Sequence, residues 1–469
     1  MKTLRILAVI VLVVLFGGSS RAGTNAALTT LHTFSGADGS NPQAALVQGS
    51  DGYFYGTTQA GGSNNLGTVF QISSTGTFTP LYQFSGPDGS DPEAPLVQGS
   101  DGNFYGTTVT GGTATNCHCG TVFQITSAGI LTTLFSFSGD TNGANPRAAL
   151  AQGRDGNFYG TTLLLPGGHA SSGTVFKVTS SGTMTTLYTY NGSAFGFPAA
   201  HAGLVQDSNG DFYGTTEYGG TDGNGSVFKI GLDGTFTNLF SITDTNLSYT
   251  GEFPCGTLAQ GSDSNFYGTT IVGGKTGSGT VFQITPAGTL TTLHFFNPNG
   301  TDGANPYAGP VLGSDGNFYG TTGFGGSNSV GDVFRISPSG TFTQPYQFSG
   351  PDGRNPQAAL VQGCDGNFYG TTYQGGTNGA GTVFKLSVPL SPPANQISAI
   401  QFVNTNVVIT IPSVWPETYQ LQYRDSLTDG SWSNIVGASI TNSIGGLQTL
   451  TDCGGAFQPQ RFYRFHITP

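Results

Sequence analysis

The sequence predicts an all-β fold: a seven-bladed β-propeller closed by its N-terminal strand, with a small C-terminal β-sandwich attached. Three observations point there. The 469 residues include 76 Gly beside 34 Phe and 19 Tyr, a pairing that suits many short strands joined by tight turns. The string Phe-Tyr-Gly-Thr-Thr occurs seven times, with its Tyr at positions 55, 105, 159, 213, 267, 319 and 369. The strand that the last repeat lacks stands at the opposite end of the chain.

The first element is a leader. Lys2 and Arg5 precede an uncharged apolar run from Ile6 to Phe16, and small residues then lead to Ser20-Arg21-Ala22. Basic, apolar and small-residue regions in that order form the pattern of a secretory signal peptide, expected to span residues 1–22. The run is too short to cross a bilayer, no second apolar stretch follows, and the terminal Phe465-His466-Ile467-Thr468-Pro469 is no hydrophobic tail. The mature protein is therefore expected to be secreted or extracellular, with no membrane span. Removing the leader leaves 11 basic against 25 acidic residues, a formal charge of −14. A phosphate-backbone binder needs clustered Lys and Arg, so nucleic acid is excluded as a partner, and an anionic membrane surface is disfavoured for the same reason.

The repeats fill residues 23–388. Their spacing of 50 to 54 residues signals an array that stacks or closes into a ring. Each unit holds four strand-like segments, which we letter a to d. In the first they are Ala44 to Gln48, Phe54 to Thr58, Thr68 to Ile72 and Thr77 to Phe84. Ser50-Asp51-Gly52 and Ser74-Thr75-Gly76 between them are tight-turn chemistry, and four antiparallel strands in a unit of this length make a propeller blade. The seventh unit has a (Ala358 to Gln362), b (Phe368 to Thr372) and c (Thr382 to Leu386), then runs into Pro389-Leu390-Ser391-Pro392-Pro393 with no d strand. Leu28-Thr29-Thr30-Leu31-His32-Thr33-Phe34 matches Leu131-Thr132-Thr133-Leu134-Phe135-Ser136-Phe137, a d strand, almost residue for residue. It is expected to complete the last blade and so remove an exposed sheet edge.

Phe-Tyr-Gly-Thr-Thr, followed by Gly-Gly and Gly-Thr-Val-Phe, resembles the GloVer tandem repeat of secreted bacterial proteins over residues 28 to 388. The resemblance implies export and a propeller-type repeat fold, and no established catalytic activity. Other carriers of the repeat use C-terminal anchors, whereas no sorting pentapeptide or terminal membrane segment stands here. Fragments also resemble kelch repeats and the Asp-box of sialidase-type propellers. The Trp of a kelch unit is absent from the repeats, since the only two stand at 415 and 432.

A Pro-rich linker, 389–396, precedes residues 397–469. There Tyr419-Gln420-Leu421-Gln422-Tyr423 and Phe462-Tyr463-Arg464-Phe465-His466 alternate with the period of half-buried strands, and the segment resembles fibronectin-like modules.

Residues common to every blade are expected to serve the fold. The Tyr of Phe-Tyr-Gly-Thr-Thr and the Phe of Gly-x-Val-Phe are core, each burial contributing roughly 1.5–3 kcal/mol. Gln48, Gln98, Gln152, Gln206, Gln260 and Gln362 recur on strand a, with Leu312 the exception. Inter-blade hydrogen bonding is the first expectation for them, and a polar channel lining the second.

A site for one ligand should break the sevenfold pattern. The a–b and c–d turns are short, while the b–c and d–a loops are longer, variable and on the opposite face, where function concentrates. The most deviant connections, Tyr190 to Leu204 and Thr243 to Leu258, contribute Phe195, Phe197, His201, Tyr249 and Glu252, and Glu217-Tyr218 follows in the b–c loop of blade 4. Aromatics beside a carboxylate suit stacking on a sugar ring with a polar contact. Loop drift yields the same residues.

The d–a loops repeat Gly-x-Asp-Gly-x-Asn/Asp-Pro, with Asp38, Asp88, Asp302 and Asp352. Calcium is the metal such loops would take, but it needs six to eight oxygen ligands, and an Asx-turn accounts for the motif without it. No other cofactor is expected. The six His fall in no common motif, no Gly-x-Ser-x-Gly or His-Glu-x-x-His stands in the chain, and Arg147, Arg154, Arg335 and Arg354 are scattered. Five Cys suggest at most two disulfides. Cys117-His118-Cys119 reads as a local disulfide or two thiols, since structural zinc needs four ligands. Cys364, replacing Ser in the last a–b turn, is expected to pair with Cys453.

The reading is an exported, monomeric binding or scaffolding module for an extracellular glycan or protein, held on the variable-loop face. A polysaccharide-active hydrolase or lyase on the same scaffold and a structural cell-envelope protein are the alternatives.

Overall fold

The computed structural model describes residues 26–388 except 115–116, 140, 164–172, 191–201, 244–249 and 298–301, together with strands between 399 and 468. The expected leader, 1–22, lies outside the described residues. So do the linker, 389–396, and Cys453, and with it the Cys364–Cys453 pairing.

Seven four-stranded antiparallel sheets follow one another along the chain. In blade 1, strand a is Val47–Gln48, b Phe54–Thr58, c Thr68–Ile72 and d Phe78–Gln83, hydrogen-bonded in that order. Blade 7 takes its d strand from the other end of the chain. Ala27–Thr33 pairs antiparallel with Thr382–Ser387, from Ala27 opposite Ser387 to Thr33 opposite Thr382. Even its bulge, between Thr30 and His32, matches the irregularity of blade 1 between Val69 and Phe70. Strand a is shorter than the sequence suggests. The Ala44 carbonyl accepts a hydrogen bond from the Thr371 hydroxyl of the neighbouring blade (3.1 Å) instead of extending the ladder.

Each letter of Phe-Tyr-Gly-Thr-Thr has a task. Alternate strand residues point to opposite faces, so Phe and Tyr face different neighbours. Tyr55 stacks on Phe104 of blade 2 with ring centroids 3.9 Å apart, and each following Tyr packs on the next Phe, stacked or, for Tyr159 and Tyr319, tilted. Tyr369 stacks on Phe54 at 3.9 Å and closes the circle. The buried Tyr hydroxyl is satisfied by the Asp of the a–b turn, as in Tyr55 to Asp51 at 2.6 Å and Tyr105 to Asp101 at 2.7 Å. Burial, then the carboxylate, push the Tyr105 phenol up to about 12. Gly56 lies beneath Phe70 of strand c, where a Cβ would stand 2.5 Å from the ring tip. Thr57 donates to the Ala94 carbonyl of the next blade (3.3 Å), and Thr58 pairs with Thr68 across strands b and c (2.8 Å).

The recurrent Gln residues bond between blades. Gln98 Oε1 accepts from the Ser50 amide (2.9 Å), Gln152 from Ser100 (3.0 Å) and Gln362 from Ser314 (2.8 Å). Cys117 and Cys119 form a disulfide, the first of the two local readings.

The chain divides into two compact units. In the C-terminal one, Asn406–Ser413 pairs with Ala399–Val403 and with Gly446–Asp452, and Thr418–Arg424 pairs with Ser433–Thr441 and with Phe462–Thr468. These are two three-stranded antiparallel sheets.

Candidate functional site

The d–a and b–c loops of a blade share one face, tied by backbone bridges such as Ser40 to Ala60, Ser90 to Thr110 and Arg354 to Gln374. At the centre of that face, the segments entering strand a converge from several blades around a cleft. Its open space is about 500 Å³, the mouth to solvent included. One position of the repeat dominates the lining. It lies three residues before the Leu46-type residue (Pro310 in blade 6), and its occupants are Gln43, Glu93, Arg147, His201, Cys255, Tyr307 and Gln357. Seven equivalent positions of the repeat sequence thus carry acid, base, amide, phenol, thiol and imidazole. His201 lies outside the described residues. Of the six others, all but Cys255 line the cleft. Cys255 is buried and its thiol donates to the Tyr307 carbonyl (2.8 Å).

Blades 7, 1, 2 and 3 supply a polar half. Tyr373 donates to Gln59 Oε1 (3.3 Å), Gln59 Nε2 donates to Glu93 Oε1 (3.0 Å), and Glu93 Oε2 lies 3.5 Å from Arg147 Nε. The Glu93 side chain is 6% exposed and that of Arg147 36%. Glu93 Oε2 and Arg147 Nε are buried and neither has a hydrogen-bond partner, because their ion pair is misaligned. Burial raises the Glu93 carboxyl above the ordinary range. Arg147 opposes the rise, Asp91 adds to it, and hydrogen bonds from Gln43 and Gln59 oppose it. Burial raises Asp91 too, against Gln59 and Arg147.

Tyr307 is the one aromatic side chain among the cleft's lining residues, and blades 4 to 6 carry further aromatics on the same face. Tyr218 and Phe324 precede the Gly-Gly of their blades and are 43% and 41% exposed. The Tyr218 ring lies 5.1 Å from Phe253, which has φ 59° where blades 1, 3, 6 and 7 use Asn. A bulky residue there is strained. Tyr307 packs over Gly323, where a Cβ would stand 2.6 Å from its ring.

The expected site residues divide accordingly. Phe195, Phe197, His201 and Tyr249 lie outside the described residues. Glu217 and Tyr218 stand on this face, and the Glu217 charge reinforces the burial that pushes up the Cys255 thiol. Glu252 pairs by its backbone with Val272. The axial set Gln43, Gln59, Glu93, Arg147, Tyr307 and Gln357 is absent from that expectation. Its signal is one chemically unlike column inside a frame of nearly constant length.

The carboxylates considered for calcium are each engaged within their own blade. Asp88 accepts from Tyr82 and the Ser85 amide, and Asp352 from Tyr346 and the Ser349 amide. Asp38 bonds His32 and the Ser35 amide, and Asp302 bonds His294 and the Asn297 amide. Among the described residues no three His, Cys, Asp or Glu gather as metal ligands.

Fold and site together define a seven-bladed propeller built from one repeat, with an asymmetric cleft where the segments entering strand a converge. The chain belongs to the Gloeobacter/Verrucomicrobia repeat family, whose repeat profile matches residues 13–202 and 199–405. None of the curated proteins matches it. Among solved structures it is similar to the extracellular domain of a hybrid two-component system from B. thetaiotaomicron, at 10% identity and TM-score 0.50. That match covers 93% of this chain and 57% of the other, so the chain spans little more than half of its length. It is also similar to the BP39L lectin of Burkholderia pseudomallei, at 13% identity and TM-score 0.50, over 75% of this chain and 96% of that one. Both likenesses concern the fold.

Proposed function

We propose that the protein is an exported binding module that holds an extracellular glycan or protein on the variable-loop face. The carrying observation is one position of the repeat, at which seven units hold six different side chains, five of the seven residues lining the cleft, while the surrounding packing repeats. A ring needs no such diversity to close; a single asymmetric ligand does. The exposed Tyr218 and Phe324 add flat apolar surface to the same face, which suits sugar rings. That a propeller of similar fold is a lectin supports the same reading. The test is retention on a glycan array, with extracellular proteins as a second panel, for the full chain and for a Tyr218→Ala, Phe324→Ala variant. Retention that the double substitution leaves unchanged would refute the reading.

The enzyme alternative gains one observation. Asp91 and Glu93 are close enough for the charge of Asp91 to raise Glu93, and paired acids are what glycoside hydrolysis requires. Incubating any retained polysaccharide with the protein and assaying new reducing ends separates binding from cleavage.

A further inference from the structure

We infer that the axial cleft takes one neutral hexopyranose unit, whose vicinal hydroxyls bridge Glu93 and Arg147; this rests on the glycan reading above and names its ligand class. A buried charge is ordinarily paired and hydrogen-bonded. Here an acceptor, Glu93 Oε2, and a donor, Arg147 Nε, stand 3.5 Å apart with no hydrogen bond to either. That leaves one acceptor and one donor side by side. Adjacent hydroxyl oxygens of a pyranose stand at about hydrogen-bond distance from each other. One can therefore donate to Glu93 while its neighbour accepts from Arg147, replacing a misaligned contact with two aligned, charge-assisted bonds. The Glu93 side chain is fixed by Gln59 and enclosed, whereas that of Arg147 is 36% exposed, so Arg147 is the member that swings to admit the ligand.

The charge around the cleft selects neutral sugars. Asp91 and Glu93 face one cation, Arg147, which disfavours a uronate or sialate. A cationic amino sugar would gain from the two acids, but its ammonium cannot accept from Arg147 and repels that like charge. Tyr307 and Gln357 complete the lining on the blade 6 and 7 side, one presenting a ring and the other an amide, the usual complement for a pyranose.

The test is titration calorimetry of the full chain with methyl hexopyranosides of the gluco, galacto and manno series. Methyl glucuronide and glucosamine serve as charged probes. At least one neutral pyranoside is expected to bind and the charged probes more weakly. Glu93→Gln and Arg147→Met are each expected to weaken it about tenfold or more, the worth of a hydrogen bond to a charged group. Asp233→Asn, in a c–d turn away from the cleft, should leave affinity unchanged, and melting curves establish that each variant is folded. Stronger binding of glucuronide or glucosamine overturns the inference, as does neutral-sugar binding that survives both cleft substitutions. If Tyr218→Ala, Phe324→Ala abolishes glycan retention while the cleft variants do not, the face is a glycan site and the axial assignment alone fails. If no glycan or pyranoside binds at all, both fail.

Discussion

Replacing Asp332 by Thr should stabilise the propeller at pH 8 and not at pH 4.5. Strand c opens with Thr in blades 1, 2, 3, 5 and 7 and with Ser226 in blade 4, but with Asp332 in blade 6. The side chain is fully buried. Thr322 donates to its Oδ1 (2.6 Å) and Gln344 Nε2 to its Oδ2 (2.5 Å). The Gly303 amide also bonds the carboxylate, yet these few hydrogen bonds do not replace water around it. Burial, with a contribution from Asp302, raises its pKa from 3.8 to about 7. The sign follows from proton binding: between these values the folded state holds a proton that the unfolded state has released, so stability falls as pH rises from about 4 to about 7 and then levels. Three pH units at about 1.4 kcal/mol each amount to roughly 4 kcal/mol lost by pH 8. Thr keeps the hydroxyl pair seen between Thr58 and Thr68 and forfeits the Gln344 bond, at a cost of about 1 kcal/mol. The net gain is about 3 kcal/mol at pH 8. With an unfolding entropy of about 2.1 cal/mol/K per residue over roughly 360 residues, that raises Tm by about 4 °C. Calorimetric melting of both proteins at pH 4.5, 6 and 8 measures it. A Tm difference that does not grow with pH refutes the assignment of a buried, reluctant carboxylate.

Deleting Ala27–Phe34 should open the ring. The loss of fully buried Phe34 alone costs roughly 3–5 kcal/mol, and Val383, Phe384 and Leu386 lose their cover; thermal melting unchanged by the deletion would refute closure. Gly56→Ala drives a Cβ against Phe70 and should destabilise by about 1–3 kcal/mol, read as a lower urea midpoint, with a similar penalty for Gly214→Ala beneath Phe228. EDTA should leave Tm unchanged, since Asp38, Asp88, Asp302 and Asp352 already bond within their blades; a fall in Tm that calcium reverses would establish a metal role.

The fold and the site were unequally legible in the sequence, for one physical reason. Closure demands the same contacts seven times. A Tyr must meet the next Phe and a Gly must clear a ring, so these residues recur in fixed register. The first strand was recognisable because Leu31 and Phe34 copy the spacing of Leu134 and Phe137. A ligand on the axis imposes the opposite demand. It meets each blade once, from a different side, so its contacts leave no recurrence to find. Loop length, the most visible irregularity, directs attention to Tyr190–Leu204 and Thr243–Leu258. Glu93 and Arg147 instead sit in loops of nearly consensus length that keep the Pro, the Ala after it and the Leu of the consensus. They stand 54 residues apart in the chain and become neighbours because strand a enters beside the axis in successive blades. In a closed repeat array, the position that differs most in chemistry while its neighbours differ least marks the axis, where the ring is narrow enough for one ligand to touch several blades.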